Sequence, residues 1–340
     1  KNVIESSEFT AQEWKIQGGA QQISQKLAEY VGEETVHLGN PVTSIQQTES
    51  DVVVSTAGGW TVRAQFIILA MPPKAIEHII FSPRLTEDRV AFMKHMPMGN
   101  MIKVIVTYEK TFWRAKNLSG EVVSDGGDVT VPGCSLGPLC VAYDATSYSG
   151  CPALVGFLGG ESAVSWATQK AKVRQKAILD HFAVFFGPEV YTFLDYIEKN
   201  WNDEPYSWGG PVSYITPGGV DNFVRSIRRP DRRIHFAGTE TATSWSGYMS
   251  GAVQAGERSA LEILFKLKPS VLSETDISTV RHDMAQYEGS NYLTRKSARN
   301  NRSRSVVTTI VCYSLGLGLV SASLYFVVRY VSKEEVGVGW

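Results

Sequence analysis

The chain has 340 residues, which is long enough to bury a sizeable hydrophobic core and to form two domains. Its formal net charge of -1 gives no reason to expect a nucleic-acid partner. The four cysteines show no C-x-x-C pair, so the sequence predicts no disulfide framework and no zinc or other metal site, and it fits a reducing compartment.

The N-terminal part predicts a helix followed by strands. Residues 9–31 combine a Gly-Gly corner with an apolar helix face. Strand patterns separated by short turns then follow at residues 40–47, 51–56 and 61–70. Met71-Pro72-Pro73 ends the last strand, because proline lacks the backbone N–H that a sheet uses. This grouping is typical of a β-meander packed against a nucleotide-binding sheet.

From residue 75 to about 198, helical patterns alternate with strands. Strands are predicted at 101–109 and 153–159, and an amphipathic helix at 160–187 that ends near Gly187. Between the two strands, a stretch rich in glycine and aspartate at 119–133 predicts a surface hairpin and loop.

RRIHFAG (232–238) predicts a short buried strand that ends at Gly238 and leads into a helix. From Gly247 onward, apolar residues recur at three- and four-residue steps, and Gly251 and Gly256 let the backbone approach a neighbour closely. The start of such a helix offers N–H donors and a partial positive charge, which suit an anion. On composition alone, a tightly packed strand–turn–helix without a ligand explains the stretch equally well.

The C-terminal part predicts a membrane anchor. Residues 268–305 are polar and without a strong period, and predict a connector. Residues 306–328, VVTTIVCYSLGLGLVSASLYFVV, contain no charged side chain. As a helix they reach roughly 34 Å, enough for a hydrocarbon core of about 30 Å. The cations at 295–304 place the long N-terminal part in the cytosol. We therefore predict a tail anchor rather than a signal peptide or a buried core helix.

The stretch FAGTETATSWSGYMSGAVQAGERSA (236–260) closely resembles the C-terminal flavin motif of the monoamine oxidases. The resemblance extends along nearly the whole chain, through QEWKIQGG, PMGNMIKVIVTYEKTFWR, NWNDEPYSWGG and the tail. It implies an FAD-dependent oxidase of the outer mitochondrial membrane, anchored in the lipid bilayer with its catalytic part facing the cytosol. Such an enzyme oxidises a primary amine to an imine, passes the electrons to O2 to give H2O2, and releases an aldehyde and ammonia after hydrolysis.

The fold that the resemblance implies is α/β (α+β), with a partial FAD-binding Rossmann-like domain, a mixed-sheet substrate domain and a C-terminal transmembrane helix. The predicted boundaries are 1–74 for the middle segment of the FAD-binding domain, 75–198 for the substrate-binding domain, 199–267 for the C-terminal segment of the FAD-binding domain, 268–305 for the polar connector and 306–328 for the anchor.

Two residues match catalytic groups of the family. Lys103 matches the lysine that holds a water at the edge of the flavin. Strand alternation places it on one face with Met101 and Ile105, where burial lowers the pKa of its ammonium and lets it share protons with water or an oxygen intermediate. Tyr248 matches one of two tyrosines that flank the substrate amine, whose approach the ring face guides. Without the resemblance, a lysine on a solvated strand face is the simpler interpretation of Lys103.

Further positions match residues that contact the cofactor or the substrate in the family. The positions expected to contact FAD are Val42, Trp201, Tyr206, Gly238, Glu240 and Met249, and those expected to line the substrate cavity are Gln12, Phe157 and Tyr248. Taken singly, the cavity residues Gln12 and Phe157 and the aromatic pair Trp201 and Tyr206 are more simply explained as structural side chains.

Two departures from the family pattern change the expected chemistry. Where the family reads Tyr-Ser-Gly-Gly-Cys-Tyr, this chain reads YSWGGP at 206–211, so Gly210 replaces the cysteine that forms a thioether to the flavin. Pro211 replaces the second flanking tyrosine. We therefore expect non-covalent FAD and a substrate cage with one wall. The chain, which begins at Lys1, also shows no G-x-G-x-x-G turn after a strand, so we expect a longer gene product that supplies this pyrophosphate-binding unit.

Two other functions stay open on the sequence. A polyamine or amino-acid oxidase of the same superfamily is favoured by the missing cysteine, whereas the tail and the Lys103 block favour a monoamine oxidase. A degenerate, non-catalytic membrane-anchored homologue is favoured by Gly210, Pro211 and the missing glycine turn. The sequence identifies neither the amine nor the oligomeric state, so a homodimer is left open.

Overall fold

The computed structural model describes residues 14–219 and 227–287, which form a mixed α/β fold. They belong to two compact units. The Lys103 unit comprises residues 14–22 and 98–212, and the Gly238 unit comprises residues 23–97, 213–219 and 227–287. Gln12 and the predicted anchor at 306–328 lie outside the described residues. In the two described ranges, every helix is too short or too polar to cross a membrane.

The helices are α1 (Gln21–Val31), α2 (Pro73–Ile76), α3 (Glu87–Lys94), α4 (Phe112–Ala115), α5 (Gly160–Ala167), α6 (Ala171–Phe186), α7 (Met249–Leu267) and α8 (Glu274–Tyr287). The strands are β1 (Val42–Gln47), β2 (Val52–Thr56), β3 (Thr61–Ala64), β4 (Ile67–Leu69), β5 (Ile80–Ser82), β6 (Met101–Thr107), β7 (Val122–Val123), β8 (Val141–Asp144), β9 (Ala153–Gly159), β10 (Tyr196–Asn200) and β11 (Ile234–Phe236).

The Lys103 unit is built on a five-stranded antiparallel sheet in the order β10–β6–β9–β8–β7. Strand β6 sends alternate side chains to opposite faces, so Ile102, Val104 and Val106 are fully buried on one face. That face packs in a single core with aromatic side chains such as Trp166 and Phe182. The other face of β6 carries Met101, Lys103, Ile105 and Thr107, which are half-buried.

The helix predicted at 160–187 is two helices, α5 and α6. The break is stabilised by Arg174, whose Nη1 donates to the carbonyl oxygens of Trp166 (3.0 Å) and Gln169 (2.9 Å) at the end of α5. These carbonyls lack the partners that a continuous helix provides. Helix α6 ends where predicted, because Gly187 adopts a φ of 92°, a left-handed conformation that favours glycine.

The Gly238 unit contains two sheets. Strands β3, β2 and β1 form the predicted antiparallel meander, and β5 joins β1 in parallel. The strand predicted at 61–70 is divided, because the chain leaves the meander after β3 and forms β4, which pairs in parallel with β11. The core beneath includes Ile45, Val54, Phe92 and Phe236. Strands β4 and β11 therefore end together, at Leu69 and Phe236, two residues before Met71 and Gly238.

Two helices complete the Gly238 unit. The buried face of α7 begins with small residues, including Gly251, Ala252 and Ala255. A Cβ atom at position 251 would collide with the Trp245 carbonyl, whose carbon would lie only 2.8 Å away, so this position requires glycine. Helix α8 lies within the segment for which the sequence predicts an irregular connector. Val280 and Met284, one helical turn apart, are buried, and this single pair is too short a pattern to be recognised as a period.

Candidate functional site

Lys103 lies in the middle of its sheet, directly opposite Phe157 of β9 and Lys199 of β10. Its Nζ atom is 5.6 Å from the centroid of the Phe157 ring. Burial lowers the pKa of the Lys103 ammonium. Within residues 14–219 and 227–287, Lys103 makes no ion pair or hydrogen bond. The structure therefore brings together Lys103 and Phe157, which were predicted as catalytic and substrate residues, around an amine whose charged form is destabilised.

Neighbours on the same face were missed by the sequence reasoning. Tyr143 of β8 meets the Phe157 ring edge-on, at 6.2 Å between ring centroids. Lys199 forms an ion pair with Glu204, whose side chain is 11% exposed. Like charges on directly opposite residues repel, so this pairing offsets the repulsion between Lys199 and Lys103. The sequence signal for Tyr143 is the alternation in VAYD (141–144), which is short and easily overlooked.

Trp201 is buried in a short turn that follows β10. The next residue fastens this turn to the start of β6, because the Asn202 side chain accepts a hydrogen bond from the Met101 N–H (3.2 Å) and donates to Asn100 Oδ1 (2.7 Å). Tyr206 is more exposed and meets the ring of Trp208 edge-on at 6.1 Å. Of these two predicted flavin contacts, Trp201 is therefore buried in a well-anchored turn, whereas Tyr206 lies at the surface of its unit.

Gly210 is held by backbone contacts of the Lys103 unit. Its N–H donates to the Gly99 carbonyl (2.9 Å), and the Gly99 N–H donates to the Val212 carbonyl (3.1 Å). A Cβ atom at position 210 would lie 3.7 Å from the Cβ atom of Trp201, an ordinary van der Waals distance. The position that carries cysteine in the monoamine oxidases therefore has room for a side chain, and what it lacks is the thiol.

Gly238 follows β11 at a point where backbone and side chains approach closely. A Cβ atom there would lie 2.8 Å from the Met71 carbonyl oxygen and 3.0 Å from a Glu240 carboxyl oxygen. Thr239, which the sequence reasoning did not single out, ties this turn to the start of α7. Its hydroxyl accepts from the Gly247 N–H (2.9 Å) and donates to the Tyr248 carbonyl (3.1 Å). Gly238 and Tyr248 are thereby held in one rigid turn.

Glu240 is buried within that turn. Its carboxyl group accepts hydrogen bonds from the hydroxyl (3.0 Å) and the N–H (3.4 Å) of Ser213. Burial raises the pKa of the Glu240 carboxyl. The structure therefore shows Glu240 stabilising the chain at Ser213, in addition to the cofactor contact that the resemblance implies for it.

Tyr248 and Met249 lie at the beginning of α7, and both are half-buried. The Tyr248 ring meets Trp245 edge-on at 5.5 Å. No side chain of residues 14–219 or 227–287 caps the start of α7, which leaves the N–H groups of its first turn available to an outside acceptor. The predicted Val42 is the first residue of β1 and packs at the border of the core that includes Phe236.

A buried network of charged side chains holds the residues on both sides of Gly238. Glu262 accepts hydrogen bonds from Arg258 Nη1 (2.6 Å) and His235 Nδ1 (2.6 Å). Arg258 Nη2 donates to the Phe236 carbonyl (2.5 Å) and to the Thr241 hydroxyl (3.1 Å). Burial lowers the pKa of His235 to about 4. Burial alone would raise the pKa of Glu262, but its bond to His235 and the Arg258 charge hold it below its usual value.

The network was not predicted, although Arg258 and Glu262 show the i, i+4 spacing of a helical ion pair. In the described ranges, no three His, Cys, Asp or Glu side chains are grouped to hold a metal ion. The features present suit a different group. The uncapped start of α7 offers N–H donors and a partial positive charge, and the tight turn at Gly238 leaves little side-chain bulk on the backbone. Both fit a flavin ring, whose carbonyl oxygens accept hydrogen bonds and which takes up negative charge on reduction.

Sequence comparison places these features in a known context. The family model described as flavin containing amine oxidoreductase matches residues 2–264. A probable flavin-containing monoamine oxidase A of Dictyostelium discoideum is 38% identical over 263 residues, which are 77% of this chain and 56% of that protein. An amine oxidase [flavin-containing] B of Bos taurus is 38% identical over 263 residues, which are 77% of this chain and 49% of that protein.

Structure comparison agrees with these matches. The cyclohexylamine oxidase from Brevibacterium oxydans IH-35A superimposes with a TM-score of 0.67 at 34% identity, over 74% of this chain and 53% of that one. A putrescine oxidase bound to putrescine superimposes with a TM-score of 0.67 at 30% identity, over 73% and 53%. The chain spans about half the length of the curated relatives it matches.

Proposed function

Because the chain belongs to the flavin-containing amine oxidoreductase family, we propose that its natural gene product is an FAD-dependent amine oxidase. The reaction converts a primary amine, O2 and water into an aldehyde, ammonia and H2O2. FAD, when bound, supplies the two-electron redox chemistry that links oxidation of the amine to reduction of O2. The half-buried Lys103 is the observation of this structure that best supports the proposal.

Lys103 is proposed to handle protons. An ammonium whose charged form is destabilised by burial gives up a proton more readily than a solvated lysine, so Nζ can exchange protons with a bound water or with reduced oxygen. No carboxylate in the described part of the chain pairs with Nζ, which leaves it available for this exchange. Phe157 shields one side of Nζ from solvent.

Tyr248 is proposed to guide the amine. Its ring is fixed by the edge-on contact with Trp245, and its backbone carbonyl is fixed by the hydroxyl of Thr239. An aromatic face attracts a cation, so the ring favours approach of a substrate ammonium. Pro211 stands where the monoamine oxidase pattern has a second tyrosine, so we propose a cage with one aromatic wall and a substrate preference different from that of the monoamine oxidases.

The remaining predicted roles are kept as proposals. Trp201, Tyr206, Val42, Gly238, Glu240 and Met249 are proposed to contact FAD, and Gln12 and Phe157 to line the substrate cavity. The flavin is proposed to be held without a covalent bond, because Gly210 has no nucleophile. Acid denaturation of the natural gene product is expected to release all of its yellow cofactor. In Gly210→Cys, for which the backbone leaves room, part of the flavin is expected to stay on the polypeptide.

Residues 306–328 are proposed to anchor the protein in a bilayer, because this stretch of 23 residues carries no charge and follows a cationic segment. The resemblance to the monoamine oxidases supports the outer mitochondrial membrane, with the catalytic part facing the cytosol. The natural gene product is expected to stay in the membrane pellet after alkaline carbonate extraction. A variant ending at residue 305 is expected to be released, and equal retention of both would contradict the anchor.

A second substrate class is a diamine such as putrescine. It is supported by the similarity to a putrescine oxidase and by the loss of the cysteine and the second tyrosine at positions 210 and 211. The experiment that tests the proposed function uses the purified natural gene product with benzylamine, phenethylamine and putrescine. We expect a flavin absorption spectrum and equal amounts of aldehyde and H2O2 with at least one of them. A product that binds flavin but turns over none of the three would contradict the proposal and favour a non-catalytic homologue.

A further inference from the structure

A shallow cavity of about 570 Å³, largely open to solvent, lies in the Gly238 unit, beside the residues that precede β4 and β11. The cavity lies at the N-terminal ends of these two parallel strands, whereas the Gly238 turn follows their C-terminal ends. The cavity and the turn are therefore at opposite ends of the strands. The residues lining the cavity are Gln47, Thr48, Glu49, Phe66, Pro83, Arg232, Arg233 and Lys266. None of them has a role in the proposed oxidase reaction.

The cavity wall is rich in cations arranged around one aromatic ring. The Arg233 guanidinium lies 5.1 Å, and the Lys266 ammonium 5.2 Å, from the centroid of the Phe66 ring. Arg233 is held in place by neutral groups, because its Nε donates to the Glu49 carbonyl (3.0 Å) and its Nη1 to the Gln65 carbonyl (3.0 Å). These bonds fix the guanidinium and leave its charge in place. The lining residues include three cations, of which Arg232 lies 3.8 Å from the Asp231 carboxylate, and the one carboxylate among them is the exposed Glu49.

Gln47 fixes the backbone of Arg233 at the wall of this cavity. Its side chain is buried, and its Oε1 atom accepts a hydrogen bond from the Arg233 N–H (3.0 Å). The other amide atom, Nε2, finds no partner among the residues that the structure describes. This atom is closed off from solvent, so the contribution of Gln47 to the site is to position Arg233, from whose N–H it accepts a hydrogen bond.

We propose that this cavity binds a small organic carboxylate. Its carboxylate group accepts a charge-assisted hydrogen bond from the Lys266 ammonium, and the fixed charge of Arg233 adds attraction. Its apolar body packs on Phe66 and Pro83. The volume falls in the range of sites for small organic molecules and exceeds what an inorganic ion fills.

Lys266 also connects the cavity to the Gly238 turn. Its Nζ lies 3.1 Å from Nε2 of His235, whose Nδ1 bonds to Glu262, and Glu262 in turn bonds to Arg258, which holds the Phe236 carbonyl. A carboxylate that draws the Lys266 ammonium toward the cavity weakens its bond to His235. Binding therefore changes the electronic environment of a histidine that the ligand does not touch, and this histidine reports occupancy of the site.

The test uses the full chain, with benzoate and 2-naphthoate as probes and benzylamine as a ligand of opposite charge. Binding is followed by calorimetry and by the ¹⁵N resonances of the His235 imidazole. We expect both carboxylates to bind and to shift the His235 Nε2 resonance, and benzylamine to do neither. Lys266→Met is expected to weaken carboxylate binding at least 10-fold, whereas Lys94→Met, which removes an exposed lysine of the same unit, is expected to leave it unchanged.

A second variant keeps the proposal testable if Lys266→Met unfolds. Gln47→Glu keeps the shape and the acceptor for Arg233 but adds a negative charge at the cavity wall, and it is expected to weaken carboxylate binding at least 10-fold. Equal binding of benzylamine and benzoate would overturn the proposal. So would equal affinities of Lys266→Met and Lys94→Met, or carboxylate binding that leaves the His235 resonance unmoved. Flavin content and oxidase activity do not enter these measurements.

Discussion

Lys103 and the Arg258–Glu262–His235 network are both ionisable groups in apolar surroundings, and the fold treats them in opposite ways. In the network, each buried charge has a partner of opposite sign or a fixed carbonyl within hydrogen-bond distance. Lys103 has no partner of opposite charge in the described part of the chain, where Phe157 and Lys199 lie opposite it, and burial lowers its pKa. Removing one partner of a compensated buried pair is strongly destabilising, whereas a charge that has no partner is destabilised already in the native protein and is available for chemistry. The difference separates the part of the molecule that holds the fold from the part proposed to react.

The largest expected effect is a loss of stability when the Arg258–Glu262–His235 network is broken. Glu262→Gln keeps the shape of the side chain but leaves the buried Arg258 without its carboxylate. Breaking one partner of a buried pair leaves an uncompensated charge, so we expect a loss of about 4 kcal/mol in the free energy of unfolding. Urea denaturation of the full chain measures it. Glu257→Gln, an exposed neighbour on the same helix, is expected to change stability by less than about 0.5 kcal/mol. Similar losses in both variants would show that the network is not a stabilising unit.

Acid is expected to break the same network through His235. Its pKa is about 4 in the folded protein and 6.5 when unfolded, so between these values the unfolded state binds the extra proton. The contribution of His235 to the free energy of unfolding is therefore fully present above pH 6.5. About 3 kcal/mol of it is lost as the pH falls toward 4. Denaturation curves at several pH values measure the effect. His235→Gln is expected to show a flatter pH dependence than the natural chain, and an unchanged slope would contradict the assignment.

A smaller loss is expected where the backbone approaches α7. Gly251→Ala places a methyl group against the Trp245 carbonyl, which must shift, and we expect a cost of about 2 kcal/mol in the free energy of unfolding. Gly58→Ala is the matched control, because a Cβ atom there would lie 3.5 Å from its nearest neighbour, Asn40 Oδ1. Equal stabilities of the two variants would mean that the turn at Trp245 is not rigid.

The smallest effect is expected at Lys103, and it is a gain in the free energy of unfolding, not a loss. Lys103→Met removes a charge that burial disfavours, so at neutral pH we expect the variant to be more stable, by no more than about 1 kcal/mol. Because the pKa of Lys103 is lower in the folded than in the unfolded protein, its charge destabilises the fold fully below the folded pKa. This destabilisation disappears as the pH rises toward 10.5. The gain in stability of Lys103→Met is therefore expected to vanish over the same pH range. Lys110→Met, at an exposed position of the same unit, is expected to show no gain at any pH.

The same contrast explains what the sequence could and could not predict. Gly238 and Gly251 are required by close backbone approach, so their pattern is visible in the sequence and carries the family resemblance. The alternation of β6 predicts the face of Lys103 correctly. The network through His235 could not be predicted, because it joins β11 to the far end of α7 and depends on their packing. The Lys199–Glu204 pair beside Lys103 depends in the same way on the register of β10, which the sequence pattern does not specify.

The most direct test of the proposed chemistry compares Lys103→Met with Lys110→Met in the natural gene product, following the flavin spectrum by stopped flow. Reduction by an amine under anaerobic conditions and reoxidation by O2 are measured separately. If Lys103 handles protons during oxygen reduction, reoxidation in Lys103→Met is expected to slow about 100-fold while reduction stays within a few-fold of the natural rate. The Lys110→Met variant is expected to match the natural protein in both steps. Normal reoxidation in Lys103→Met would contradict the role of this lysine and the mechanism that depends on it.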